Sequence, residues 1–567
     1  MLVIAGQWIY MFWVFLSFGI LGRRLFIVIF KNGEHKPVSE IRIEYLVLLG
    51  FALVSILLSY LSLFVAMGSA VKVGLIVVSV ITSGVFWKDL KQVLQRILQN
   101  IKEFDKILIV FLLFAVVMIL FLSVGRIYNY DTGLYHSQAI LWIQQYAVVP
   151  GLGNLHGRFA FNSHFFIPAA IFIKDVPGEY LVYLLNSFFY VVFLFYLFGN
   201  ITKTIGQKDY FNLILSSLLI FLSACYYTLQ LSSPSPDMIC GILICMTFLI
   251  FLESERTEKQ TIEALLIAAM IFVCITFKLS TALLLLLMPF LWTSIKDKRL
   301  LSSIWFGVIV AVPFIIRNYY LSGYLVYPFP DIDIFNPDWK IPLENVAKEK
   351  IDVEGWARIP GGNRQKTMAM TLAEWVPGWY DRQPLLMKEM LITNLCFLIP
   401  MVISIIRKNY KVATVLGVLL VNLLFWFFSA PDPRFAYGFI LFGASIVIAY
   451  SLGSALFKVK SWRLVAYALV IFCIVRPLFV TGAKVLLEKP PTHSIASPHF
   501  YPLVRSKNVS KEFKLYRPMK GDQCFNSAIP CTPYSRRNLV LRSPKKRHSF
   551  QDGFKRKVKK SNSNKKQ

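Results

Sequence analysis

Charged side chains are scarce in this chain, 16% of 567 residues, and acids are the scarcer kind, with 31 Asp/Glu against 60 Lys/Arg. So little charge excludes an ordinary soluble domain of this length. Histidine is rarer still, seven in all, and no pair has the helical i, i+3 or i, i+4 spacing of metal ligands or a zinc signature. No internal repeat and no nucleic-acid fold signature is visible. The N-terminus lacks a basic leader, and no small-residue cleavage site precedes Arg23, so the first apolar segment reads as a retained span.

Apolar residues fill the space left by charge: 56% of the chain is hydrophobic, 15% aromatic, and the mean hydropathy is +0.59. Runs of roughly 18 to 22 apolar residues match the length an α-helix needs to cross a hydrocarbon core of about 30 Å. An open strand in lipid would leave backbone groups unpaired. The expected fold is therefore an all-α polytopic membrane protein with about 14 transmembrane helices. They are placed near 2–20, 43–66, 70–87, 106–125, 179–199, 210–229, 238–252, 262–277, 280–294, 302–317, 386–406, 412–428, 436–456 and 463–480.

Short loops rich in Lys/Arg stay preferentially in the cytoplasm. Here every second connection is basic: Arg23-Arg24, Lys88 to Lys106, Lys203 with Lys208, Arg256 with Lys259, Lys296 to Arg299, Arg407-Lys408, and Lys458 to Arg463. The alternation puts both termini outside, with the loops 126–178, 229–237, 318–385 and 429–435. The chain divides into a four-span bundle (1–125), an outside loop (126–178), a six-span bundle (179–317), a second outside loop (318–385), four spans (386–480), an outside segment (481–544) and a basic disordered tail (545–567).

Much of the net charge of +29 is terminal, since residues 501–567 hold 19 Lys/Arg and 3 Asp/Glu. Such a tail is attracted to anionic headgroups, so membrane lipid is an expected partner and nucleic acid is not. Six cysteines lie in or beside apolar runs, where cysteine acts as a small hydrophobe. Cys524 and Cys531 flank a short polar loop, which points to a disulfide outside the cytoplasm.

The loop 126–178 opens RIYNYDTGLYHSQAILWIQQYAVVPGLGNLHGRFAFNSHFF. Asp131 precedes Tyr135, Ala139, Trp142, Ile143 and Tyr146, the spacing of a short amphipathic helix suited to the membrane interface. An aspartate there can simply cap the helix; at the water–lipid boundary it can also act as general base towards a hydroxyl. His136, His156 and His164 fall within 29 residues of this loop and read as hydrogen-bonding groups for a polar ligand or the loop backbone. Gly151, Gly153 and Gly157 with Pro150 make the loop an irregular platform.

Asp237, after the prolines of SSPSPD, fits the first turn of a helix, yet an ionisable group at membrane depth also marks a functional site and needs a cation. Lys278 interrupts a nearly continuous apolar run, and Arg317 ends a span at the outer boundary; each either snorkels or holds a phosphate. In SAPDPRF, Asp432 and Arg434 form either a rigid turn with a local ion pair or a second phosphate contact. Trp339, Trp356, Trp375 and Trp379 in the loop 318–385 are interface anchors or sugar-stacking rings.

With Asp131, Asp237, Lys278, Arg317, Asp432 and Arg434 on one face, the pattern resembles polyprenol-phosphate-dependent glycosyltransferases of the GT-C class. The strings YDTGLYHSQAI, PGLGNLHGRFAFNS, IRNYYLSGYLVYPF, PDPRFAYG and GDQCFNSAIPCTPY also resemble a family of bacterial multipass membrane proteins of uncharacterised biochemistry, across most of the chain. The resemblance implies a GT-C-like helical bundle in a bacterial plasma membrane. It implies a lipid-linked sugar donor, an acceptor of unknown identity, Asp131 as base, and Lys278 and Arg317 on the donor phosphate. Two departures stand out: the acidic loop follows the fourth span, not the first, and no DxD or ExD pair opens it. A divalent metal is compatible with the class, but without that motif no cofactor is assigned. The nearest alternative is a polysaccharide polymerase or ligase on the same donors; from another class, a transporter, for which the one-sided charge and missing repeat are poor matches.

Overall fold

Helix ends are set by short polar residues flanking the apolar runs. Asp105 accepts from the amides of Ile107 and Leu108 to start Lys106–Ser123, and Asp209 accepts from Asn212 to start Tyr210–Tyr227. Ser235 precedes Pro236 at the first position of Pro236–Glu253, where a missing N–H costs nothing. The computed structural model describes residues 2–29, 37–176, 180–254, 262–291, 298–452, 462–487, 504–508, 513–534, 538–543 and 550–557.

Among these, 11 helices are long and apolar enough to cross a membrane, or 12 if one bent pair counts as a span. The chain is a multipass, nearly all-α membrane protein, and the described residues hold fewer such helices than the 14 expected. The difference has two sources. Ser69–Val85 and Trp87–Glu103 meet at 89°, and the run after residue 262 breaks at Lys278 into the short helices Ile262–Phe277 and Leu279–Leu291. Lys278 is extended and its side chain is drawn to Asp237, which ends the helix there.

Pro236–Glu253 is the most enclosed of the long apolar helices among the described residues. It packs against Leu185–Gln207, Ile262–Phe277, Tyr410–Ser429 and Tyr437–Leu452. Leu2–Ile29 and Ile43–Leu61 approach so closely that a Cβ on Gly50 would lie 1.7 Å from the Phe15 carbonyl oxygen. Small residues permit such contacts where no hydrophobic effect drives helices together in lipid.

Loops gather at one end of the bundle. Gln7 donates to the Phe172 carbonyl, Met67 to Ile143, Val148 to Ser62, and Gly151 to Tyr320. The C-terminal segment joins them: the strands Leu539–Leu541 and Phe554–Arg556 pair antiparallel, and the Phe554 amide donates to the Pro150 carbonyl. Residues 550–557 are therefore a docked element and not part of a disordered tail as expected, because Phe550 and Phe554 set their rings on Trp142. The rest of 545–567 lies outside the described residues. At the opposite end, Arg42 joins Glu44, Asn200 and Glu253.

The helix after Asp131 departs from expectation. It runs to Gln145 with Ser137, Gln138, Ile140 and Trp142 buried, so it does not lie on the lipid interface. The C-terminal segment covers the face that the sequence assigned to lipid. Asp131 does not cap it either; Asn129 Oδ1 accepts the Thr132 amide at 3.2 Å.

Candidate functional site

The chain widens over Thr132–His136 into a π-helical turn, with the Ser137 amide donating to the Thr132 carbonyl. Such widenings recur at functional sites because they re-aim neighbouring side chains. Asp131 stands at the start of this turn. Its Oδ1 accepts from Arg158 Nη1 at 2.9 Å and its Oδ2 from Arg434 Nη1 at 3.3 Å.

Each arginine has a second acid. Arg158 Nε lies 3.6 Å from Glu349 Oε1, and Arg434 Nη2 donates to Asp432 Oδ2 at 2.9 Å. The result is an alternating row, Glu349–Arg158–Asp131–Arg434–Asp432, drawn from three separate loops. Beside it Lys278 pairs with Asp237 and lies 4.1 Å from the Phe435 ring centroid. All seven groups remain partly solvent-accessible, so a ligand can reach them.

Local contacts fix each loop. Thr132 and Ser233 share a 2.5 Å hydroxyl hydrogen bond, and Asn186 donates to the Ser233 and Ser235 carbonyls, which holds the start of Pro236–Glu253 against the Asp131 turn. The SAPDPRF turn hangs from two indoles: Trp379 donates to the Pro431 carbonyl at 2.7 Å and Trp426 to that of Asp432 at 2.8 Å. The His156 ring accepts the Arg158 amide, which orients that arginine.

The environment acts on the titratable groups of the loop. Burial pushes the His136 imidazole down to about 4, partly offset by Asp131 and Asp237. Burial also raises the Tyr135 phenol well above its ordinary value, with Asp131 adding to the effect. For Arg158, burial opposes the charge but Asp131, Tyr135 and Glu349 outweigh it, and the guanidinium is held more firmly protonated than usual.

Five of the expected residues meet here: Asp131, Asp237, Lys278, Asp432 and Arg434. His136 lies alongside, its Nδ1 3.4 Å from Thr132 Oγ1. His156 acts through the Arg158 backbone. Arg317 and His164 belong elsewhere: Arg317 is buried and donates to the carbonyl and hydroxyl of Ser62, while His164 Nδ1 shares a hydrogen bond with Ser59. Arg317, near the end of Lys298–Ser322, points to Ser62 and not to Asp131, and His164 lies in the turn before Phe166–Phe172. Arg158 and Glu349 were missed. Arg158 followed the glycines and His156 in a loop already singled out, whereas Glu349 had no distinguishing signal.

Of the four tryptophans, Trp375 and Trp379 are buried supports and Trp339 donates to the Tyr319 carbonyl; Trp356 remains exposed, under the Arg364 guanidinium. Cys524 and Cys531 are joined in a disulfide. The three loop histidines have separate partners, and among the described residues no three His, Cys, Asp or Glu side chains form a metal-binding group.

These features define a multipass α-helical membrane protein with an ion-paired site at one end of its bundle. The chain belongs to the family described as Domain of unknown function (DUF8201), whose model matches residues 1–441. All seven site residues fall within that match; the disulfide-bearing segment lies beyond it. No curated protein and no solved structure matches the chain.

Proposed function

We propose that this protein is a membrane glycosyltransferase that moves a sugar from a polyprenyl-phosphate-linked donor to an acceptor at the outer face of a bacterial plasma membrane, in envelope glycan or glycolipid assembly. The observation that carries the reading is the position of Asp131 between Arg158 and Arg434 where the loops meet the helix ends. A lipid-linked sugar has its phosphate at that depth. Two guanidinium forks suit the charge that grows on a departing phosphate, and a carboxylate between them suits the incoming hydroxyl.

In the transfer, the acceptor oxygen bonds to the anomeric carbon while the bond from that carbon to the phosphate oxygen breaks. The electron pair leaves with the polyprenyl phosphate, and the hydroxyl proton passes to Asp131. A donor phosphate that accepts from Arg158 and Arg434 takes the place of Asp131 on them, which frees the carboxylate for that proton. Lys278, paired with Asp237 and set over the Phe435 ring, adds a cation beside the row. Arg317, assigned to the phosphate on sequence grounds, is left out because it faces Ser62.

Ionisable groups gathered at the ends of the bundle support an enzyme over a transporter, whose ionisable groups would sit near mid-membrane. The test is the lipid-linked sugar and envelope glycan profile of cells that carry wild type, a deletion, or Asp131→Asn. The expected result is the deletion profile in Asp131→Asn cells with normal membrane levels of protein. A wild-type profile in those cells, where the deletion is abnormal, rejects the reading.

A further inference from the structure

A second surface lies at the far end of the bundle from Asp131. Ser69–Val85 starts beside the outer loop, where the Met67 amide meets the Ile143 carbonyl, and runs away from the site for 17 residues, roughly 25 Å. Lys106–Ser123 comes back for 18 residues. Between them Trp87–Glu103 turns by 89° from Ser69–Val85, so it lies across that helix's axis.

This helix has three faces. The first packs on the bundle through Leu90 and Val93, and is pinned by Asp89, which is 5% exposed and accepts from Arg24 Nε and Nη2 at 2.5 Å each. The second is apolar yet open: Trp87, Leu94, Leu98 and Ile101 are 57%, 42%, 62% and 53% exposed. At 100° per residue these four fall in a stripe of roughly 60°. The third face is polar, with Lys91 and Lys102 on the border of the stripe and Lys88, Gln92, Gln95 and Gln99 beyond.

Its two acids are engaged, Asp89 by Arg24 and Glu103 by Gln99 Nε2 at 2.6 Å. Lys88, Lys91 and Lys102 have no carboxylate partner among the described residues. An open apolar stripe edged by lysines, on a helix perpendicular to the apolar helix before it, fits the boundary of a bilayer: stripe in the acyl region, ammonium groups among headgroups.

We propose that Trp87–Glu103 lies in the membrane plane at the end opposite the Asp131 site and that Lys88, Lys91 and Lys102 bind anionic phospholipid headgroups there. The partner is a lipid surface of negative charge. The inference does not depend on the glycosyltransferase reading.

Two measurements on the full chain in vesicles test it. Spin labels are placed at Leu98→Cys and Gln92→Cys in a Cys396→Ser background, and collision with lipid-dissolved oxygen is compared with collision with a water-soluble nickel chelate. The Leu98 label is expected in lipid and the Gln92 label in water; a Leu98 label as water-accessible as that at Gln92 overturns the in-plane placement. Retention of phosphatidylglycerol over phosphatidylcholine is then measured for wild type and for Lys88→Gln/Lys91→Gln/Lys102→Gln. At least a three-fold loss of selectivity in the triple variant is expected, with unchanged melting temperature. Undiminished selectivity overturns the headgroup assignment. Lys88→Arg/Lys91→Arg/Lys102→Arg keeps the charge and should keep the selectivity, and its failure to do so also counts against the proposal.

Discussion

Arg434 and Asp131 stand 303 residues apart in sequence and 3.3 Å apart in space, with the same guanidinium fork also held by Asp432. The contact joins the turn before Tyr437–Leu452 to the turn after Lys106–Ser123. Removal of one charge in such a row leaves its neighbours partly buried and short of a partner, which is the costly event in a paired network.

Arg158→Gln should therefore destabilise the protein by about 1–3 kcal/mol and abolish activity, because Asp131 and Glu349 both lose a donor. Glu349→Gln in the same chain should recover part of the stability but none of the activity. A double-mutant cycle read by thermal unfolding in detergent checks the coupling, expected at about 0.5–3 kcal/mol. Arg158→Lys keeps charge but not the fork and should stay well below wild-type activity.

Gly133 is in contact with the disulfide-bonded segment: a Cβ there would lie 2.6 Å from the Phe525 ring, whose own amide donates to the Gly133 carbonyl. Gly133→Ala should loosen residues 130–138, seen as faster amide hydrogen exchange. Phe525→Gly added to it should restore protection, since it removes the ring and suits the positive φ of 42° at that position. Cys524→Ser/Cys531→Ser should loosen the same residues, with a cost of about 2 kcal/mol to the segment.

His136 gives a pH dependence with a definite sign. Its imidazole is buried neutral and held down at about 4, so between about 4 and the ordinary value near 6.5 the unfolded chain binds the extra proton. Stability must rise with pH across that window, and the contribution is lost as pH falls through it. The melting temperature of His136→Gln in detergent should fall less than that of wild type between pH 6.5 and 4.5.

Sidedness is open to direct test. Reporter fusions at Gly157 and Ser563 should both read as outside the cytoplasm, while one at Gln95 should read as inside. A cytoplasmic signal from Gly157 would rule out the proposed placement of the site on the outer face.

Much of the site was legible because its charges are isolated. Asp237, Lys278, Asp432 and Arg434 stand beside apolar runs where a lone charge is conspicuous, and each of them joins the network. Glu349 was hidden in LENVAKEKIDVEG, where charge alternates along a half-buried helix and no position stands out. Arg317 shows the limit of reasoning from span ends: depth was readable, but rotation about the helix axis was not. The helix after Asp131 was misjudged because its cover, Phe550 and Phe554, lies more than four hundred residues downstream in a polar, basic stretch. Helix count suffered where apolarity alone cannot tell a span from a turn, at Phe86 and at Lys278.

The proposed function makes Asp131, held between two arginines, the base of sugar transfer from a lipid phosphate. The most direct measurement is release of free polyprenyl phosphate by purified protein in vesicles, given a panel of polyprenyl-phosphate sugars and envelope glycolipid acceptors. Wild type should release it from at least one donor in an acceptor-dependent manner, and Asp131→Asn should release less than one hundredth as much from an equal amount of folded protein. Release by Asp131→Asn at the wild-type rate would rule out Asp131 as the base.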